Sequence, residues 1–227
     1  MGVVSGSTPA VRVIPAREIG APVDGAAGRV DAPPVVDGRL ARGERTRRAI
    51  VEAHISLIGA GELSPTGAQI ADRAGVSLRS LWGNFNDLET LFAATGAEVL
   101  RRQNAMIEPI DADLPLEERI ETYCRQRARV LEFVAPFARS SELRAPFSRE
   151  LQRNRVRYLR GVSSEIEALF ARELAGRDVP RRGEVLQALG IAVTWPTWVS
   201  LRDVSRLSIP EATSVMTRMV TALLTSD

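Results

Sequence analysis

The stretch Thr66-Gly67-Ala68-Gln69-Ile70-Ala71-Asp72-Arg73-Ala74-Gly75-Val76-Ser77-Leu78-Arg79-Ser80-Leu81-Trp82-Gly83-Asn84 reads as two short helices joined by a tight turn. Thr66, with Gln69 three residues later, fits a capping box: the hydroxyl accepts from the third helical amide and the glutamine reaches back to the cap amide. The first helix then runs from Gly67 to about Arg73. Gly75 takes the left-handed conformation that a sharp turn needs. Ser77 caps a second helix over about Leu78–Asn84. Ile70, Ala71, Ala74, Val76 and Leu81 supply a small apolar core, and the small Ala71, four residues before Gly75, lets the helices cross closely. Two short helices about a glycine turn, spaced in this way, make a helix-turn-helix.

Helical spacing continues on both sides. Ile50, Ala53, His54, Leu57 and Ile58 recur at i, i+3, i+4, i+7 and i+8 and predict a helix over about Gly43–Ala60, stopped by Gly59 and Gly61. Downstream, Asn86 or Asp87 restarts a helix that Leu88, Leu91, Phe92, Thr95 and Val99 carry to about Met106. Leu116, Ile120, Tyr123, Arg127, Val130, Leu131 and Val134 mark the next, and Pro136 and Pro146 bracket a short one. A long helix is expected over about Arg149–Ala175, a loop over Gly176–Gly183, and a nearly all-apolar helix over Glu184–Asp203, kinked at Pro196. Ile209-Pro210 opens a last helix with Ala212, Met216, Met219, Val220 and Leu223 on one face. No strand pattern and no internal repeat is present. The expected fold is all-α with about nine helices: a three-helix helix-turn-helix domain over 42–88 and a larger helical domain over 89–227.

Residues 1–41 differ. The first forty hold five Pro, six Gly, six Ala and eight Val, and the first Phe, Trp or Tyr of the chain is Trp82. Such a segment buries too little apolar surface to offset its ordering entropy, so a disordered extension is expected.

Composition narrows the function. Among 227 residues, 30 basic against 28 acidic side chains leave a net charge of +2, so any nucleic-acid face must arise from local placement. All the basic residues are Arg, which points to a GC-rich, bacterial coding sequence; every anion contact is then made by a planar, always-charged fork. One Cys and one His cannot build the usual structural zinc site, and Cys124 is expected to be a buried, inert thiol. The longest run without a charged side chain, Val185–Leu201, falls short of the ~20 apolar residues that span a bilayer. A soluble, cytoplasmic protein without membrane association, metal or cofactor is expected. Enzyme readings find no residues: there is no phosphate-binding glycine loop, no Gly-x-Ser-x-Gly, and no supported Cys–His dyad.

Arg45-Thr46-Arg47-Arg48-Ala49-Ile50, then Thr66 and Ile70-Ala71-Asp72-Arg73-Ala74-Gly75-Val76-Ser77, then Ser80-Leu81-Trp82-Gly83-Asn84-Phe85 with Leu91-Phe92, together resemble the tetracycline-repressor-like (TetR-type) transcriptional regulators. The motif covers about residues 42–92. Trp82 stands where the family usually has Tyr, and Asn84 where it has His. Both can still donate to phosphates through the indole N–H and the amide. Leu88 stands where the family often has a Lys that supports backbone binding, and it cannot make that contact.

The resemblance implies a homodimer on a near-palindromic double-stranded operator, and release by a small effector. On this reading Leu78–Asn84 enters a major groove. Arg79 bonds a guanine edge and Leu78 touches a thymine methyl. Thr66, Ser77, Ser80, Trp82 and Asn84 make phosphate or base contacts. Arg39, Arg42, Arg45, Arg47 and Arg48 against Glu44 give a local charge of +4 at the helix entrance, which suggests a backbone clamp led by Arg42 and Arg45. In the larger domain, Tyr123, Phe137, Tyr158, Trp195 and Trp198 are candidates to line a site for a small apolar or amphipathic effector. The apolar segments 184–203 and 208–224 are candidates for a four-helix dimer interface. The competing reading is a helical protein-interaction module that has lost specific DNA recognition.

Overall fold

The structure is a computed structural model and describes residues 38–144 and 149–226. The regular structure of the described residues is all helical, with no strand. They form ten α-helices and one π turn, close to the nine helices expected. The chain divides into two compact units, with the boundary between Gly96 and Ala97.

The first unit holds α1 (Gly38–Gly59), α2 (Gly67–Arg73), α3 (Leu78–Asn84) and the start of α4 (Leu88–Ala105). Helix α1 begins five residues before the expected Gly43. The expected disordered extension therefore lies outside the described residues except for 38–41, which form the first turn of α1. The core is the apolar set that the periodicity picked out: Ile50, Ile58, Ile70, Leu81 and Leu91 are all at most 1% exposed. His54 is a core histidine. Its Nδ1 lies 2.8 Å from Thr95 Oγ1, and its ring meets Phe92 edge-on at 4.5 Å, tying α1 to α4.

The second unit contains the end of α4, α5 (Leu116–Arg144), α6 (Arg149–Leu169), α7 (Ala171–Ala175), α8 (Val179–Ala192), α9 (Trp195–Val199), a π turn (Ser200–Val204) and α10 (Ile209–Thr225). Helix α10 packs on α5 and α8, and α8 on α6. Four sequence expectations need correction here. Pro136 does not end a helix, because α5 runs through it to Arg144; Pro146, the other bracket of the expected short helix, lies outside the described residues. The long helix expected to Ala175 breaks at Phe170, where Arg119 Nη1 donates to the Leu169 carbonyl at 2.8 Å and satisfies the helix end. The helix expected over Glu184–Asp203 is three elements. It begins earlier, at Val179 after the Asp178 cap, and closes at Ala192; Pro196 then opens α9 rather than kinking a helix, because proline fits a first turn, where an amide would be unpaired anyway.

The fourth correction concerns the last helix. Ala212, Met216 and Val220 are at most 1% exposed within the single chain, so these three side chains are spent on its own core, whereas Met219 and Leu223 of the same stripe are only partly buried. The large apolar side chains that α8 and α10 leave in solvent are Val179, Ile191, Ile209 and Val215. Ser208 caps α10 in a full capping box with Glu211, the serine amide donating to Glu211 Oε2 at 2.8 Å. Ser208→Ala is expected to cost about 1 kcal/mol of stability, read as a lower urea midpoint with an unchanged slope.

Candidate nucleic-acid interface

Helices α2 and α3 are short, so their mutual geometry rests on caps and on the turn. At α2, Thr66 Oγ1 accepts from the Gln69 amide at 3.3 Å, and the Thr66 amide and hydroxyl both donate to Gln69 Oε1 at 2.8 Å. The capping box read from the sequence is therefore formed. The turn closes through the Val76 amide on the Ala71 carbonyl at 3.0 Å, with Gly75 at φ +66°. At α3, Ser77 Oγ accepts from the Ser80 amide at 3.1 Å. Leu81 is the one residue of α3 that is fully buried, and it faces the unit's core.

That burial leaves Leu78, Arg79, Trp82 and Gly83 on the opposite, exposed side, at i, i+1, i+4 and i+5. Leu78 is 47% and Trp82 38% exposed, unusual for large apolar side chains on so small a unit. The Arg79 guanidinium forms no hydrogen bond or ion pair among the described residues. The Trp82 ring lies against the start of α2: a methyl group on Gly67 would come within 2.6 Å of it. Trp82 thereby braces α3 against α2 and presents its outer edge to solvent. Gly67→Ala would push the ring outward. The expected outcome is a shift of Trp82 fluorescence and weaker binding to any duplex, with far-UV circular dichroism unchanged.

The other expected contact residues divide in two. Arg42, Arg45 and Arg48 are exposed, and their side chains form no ion pair among the described residues. Arg47 turns inward: Nη1 donates to the Asn84 carbonyl at 2.7 Å, and its guanidinium stacks 4.1 Å above the Phe85 ring. It therefore positions the end of α3 and is not part of a free clamp. The Asn84 side chain donates back to the Ser80 carbonyl at 2.8 Å, and the Thr66 hydroxyl is spent on Gln69. Ser77 keeps its hydroxyl proton, and Ser80 is half-buried. The Arg39 side chain lies outside the described set. The positioning role of Arg47 was not read from the sequence, where it looked like one more entrance cation; its helical offset from Arg45 and Arg48 was the available signal.

In the second unit Tyr123, Trp195 and Trp198 belong to one buried core cluster, with Tyr158 packed against it. Trp195 Nε1 donates to Glu142 at 3.0 Å and Trp198 Nε1 to Glu132 at 2.8 Å, so both indoles pin α9 to α5. Phe137 packs beside Phe133 at 5.9 Å. Tyr123 is fully buried edge-on to Phe170 at 5.8 Å, and Tyr158 accepts from Arg127 Nη2 at 2.6 Å. A separate open groove of about 800 Å³ runs between α5 and α10, past Glu121, Arg125, Arg129, Ile209, Thr213 and Thr217. None of the five aromatic candidates lines it. Cys124 is buried, and burial pushes its thiol up to about 11, which fits the inert role expected of it. No cluster of His, Cys, Asp or Glu able to hold a metal occurs among the described residues, and no described helix is long and apolar enough to cross a membrane.

No family model matches this chain, and no curated protein matches it in sequence. Among solved structures it is similar to the crystal structure of a transcriptional regulator from Rhodococcus sp. Rha1, at a TM-score of 0.59 and 17% sequence identity. The match covers 80% of this chain and 95% of that one. The two proteins share an all-α fold over nearly the whole length of the Rhodococcus chain.

Proposed function

We propose that this chain is a sequence-reading, DNA-binding transcriptional regulator of the tetracycline-repressor type, which binds a near-palindromic operator as a homodimer. The observation that carries the reading is the exposed face of α3. An unpaired Arg79, flanked by exposed Leu78 and Trp82, stands on a helix whose start, turn and inner side are all fixed by hydrogen bonds or burial. An unpaired arginine fork beside apolar groups matches a guanine edge beside a thymine methyl. Arg42, Arg45 and Arg48, exposed along the start of α1, supply phosphate contacts. The shared fold with a protein described as a transcriptional regulator supports the same reading.

In this reading a small apolar or amphipathic effector binds the second unit and releases the operator. Residues of α4 belong to both units, so a shift of that helix would change the spacing of the two recognition helices in a dimer. A coupling of about 1–3 kcal/mol, several-fold to over a hundredfold in affinity, is ordinary for such linkage. The pairing surface would use the side chains that the single chain leaves exposed, with Ile191 and Val215 on the helices first expected there. Action in the cytoplasm follows from the same function.

The test is a salt titration of duplex binding by fluorescence anisotropy. Arg45→Ala is expected to weaken every duplex alike and to flatten the slope of log affinity against log salt by about one. An unchanged slope would remove Arg45 from the phosphate contacts. Salt-insensitive binding by the unmodified chain would overturn the DNA-binding reading itself.

A further inference from the structure

The second unit buries two arginines and treats them differently. Arg119 is fully matched: Nε donates to the Leu114 carbonyl at 3.0 Å, Nη1 to the Leu169 carbonyl at 2.8 Å, and both terminal nitrogens reach Glu173. Arg127, 2% exposed, is not. Its Nη2 donates to Tyr158 Oη at 2.6 Å and to the Val193 carbonyl at 3.1 Å, but its Nε is buried with no partner. One helical turn earlier on the same face of α5, the Tyr123 hydroxyl is also buried without a partner, in a side chain 1% exposed. Tyr158, accepting from Arg127, keeps its own hydroxyl proton to give.

Donors therefore outnumber acceptors at one place in an apolar core. No salt bridge to Arg127 forms among the described residues. Glu173 is held by Arg119, Glu132 by Trp198 and Arg202, and Glu142 by Trp195. Glu165 is the carboxyl whose charge Arg127 feels, yet it makes no bond to it, and burial pushes that carboxyl up toward its neutral form. A buried guanidinium nitrogen and a buried hydroxyl without partners are costly, and Arg119 beside them is matched completely.

We propose that Arg127 and Tyr123, with the Tyr158 hydroxyl, anchor the carboxylate of a small apolar acid. A carboxylate brings one negative charge against one cation and lone pairs enough for all three donors. A phosphate dianion brings twice the charge of the one guanidinium, and a neutral alcohol brings no charge to it. Val162, Ile166 and Phe170, buried in the same core cluster, make the surroundings apolar, which suits an alkyl or aryl body. This names the effector class of the regulator proposed above and rests on that reading for its regulatory meaning.

The experiment uses the full chain with decanoate and, as a neutral match of equal length, decanol. Binding is followed by calorimetry and melting temperature for wild type, Tyr123→Phe and Arg127→Met. Decanoate is expected to bind and raise the melting temperature, and decanol to bind at least tenfold more weakly. Tyr123→Phe without ligand should melt at or above wild type, because it removes an unmatched hydroxyl, while losing about tenfold in decanoate affinity. Arg127→Met should lose the distinction between acid and alcohol. Equal binding of acid and alcohol by wild type, binding of neither, or a Tyr123→Phe chain that melts well below wild type would each overturn the anchor. Acid that binds as expected but leaves duplex affinity unchanged would keep the anchor and defeat the effector-release reading instead.

Discussion

Arg119→Ala lowers the stability of the chain by about 3–5 kcal/mol, the usual cost of removing one partner of a buried ion pair. The Arg119 side chain is 3% exposed and the Glu173 side chain 15%. Removing the guanidinium leaves the part-buried Glu173 carboxylate without its hydrogen-bond donors, and it leaves the Leu169 carbonyl at the end of α6 and the Leu114 carbonyl without theirs. The measurement is the urea midpoint. For Glu173, burial pushes the carboxyl up, but the hydrogen bond and charge of Arg119 outweigh it and hold the carboxyl below its ordinary range. A folded-state pKa below the unfolded value contributes stability that is present above the unfolded value, about 4.3. That contribution fades as the pH falls through the folded value. The gap between wild type and Arg119→Ala should therefore be full near neutrality and narrow in acid below the ordinary glutamate range. A gap that is constant down to strong acid would contradict the pairing.

Arg79→Ala has the largest expected effect on DNA. One bidentate arginine–guanine contact is worth about 1–3 kcal/mol of discrimination, roughly 5- to 150-fold in affinity for the preferred duplex. Duplexes of unrelated sequence should lose far less, because Arg79 reads bases while the arginines of α1 hold phosphates. Stability should stay within about 0.5 kcal/mol of wild type, since the side chain is exposed and unpaired among the described residues. Arg47→Ala gives the opposite pattern. It breaks the bond to the Asn84 carbonyl and the stack on Phe85, so it should destabilise the first unit and weaken all duplexes together. Competition of labelled preferred duplex by unlabelled random duplex separates the two. Equal losses on every sequence for both variants would deny α3 its reading role.

Local chemistry explains why the first unit was legible in the sequence. The bounds of α2 and α3, the Thr66 box, the Ser77 cap and the left-handed Gly75 all depend on residues within a few positions of one another. The second unit was less legible for three physical reasons. Val179-Pro180, Trp195-Pro196 and Ile209-Pro210 each put proline in a first helical turn, with side-chain caps from Asp178 and Ser208 but none from Thr194, yet only the last was read as an opening. The others were read as a loop and as a kink, because proline signals both equally. The break at Phe170 depends on Arg119, fifty residues away from the carbonyl it satisfies. And α5 passes through Pro136 because Leu131, Ala135 and Ser140 are buried on both sides of the lost hydrogen bond, so packing outweighs propensity.

The candidate sites follow the same division. The exposed face of α3 was visible because one buried residue, Leu81, determines which side faces out. The clamp was overcounted, since charge alone does not reveal that Arg47 stacks inward. Arg127 appeared in the sequence as a charged residue within an apolar stripe, four residues after Tyr123. That anomaly was the one available signal of a buried polar centre, and only the packing of α6 and α8 around it gives it partners and leaves it short of them.

The central claim is that α3 reads sequence. Selection of bound duplexes from a random DNA pool, with the purified full chain at near-physiological salt, tests it most directly. The account predicts enrichment of a near-palindrome with half-sites about one helical turn apart, some 34–36 Å, and loss of a guanine preference within each half-site in Arg79→Ala. A pool that stays random through repeated rounds, with only weak and salt-sensitive binding to all duplexes, would contradict it and leave a helical interaction module in its place.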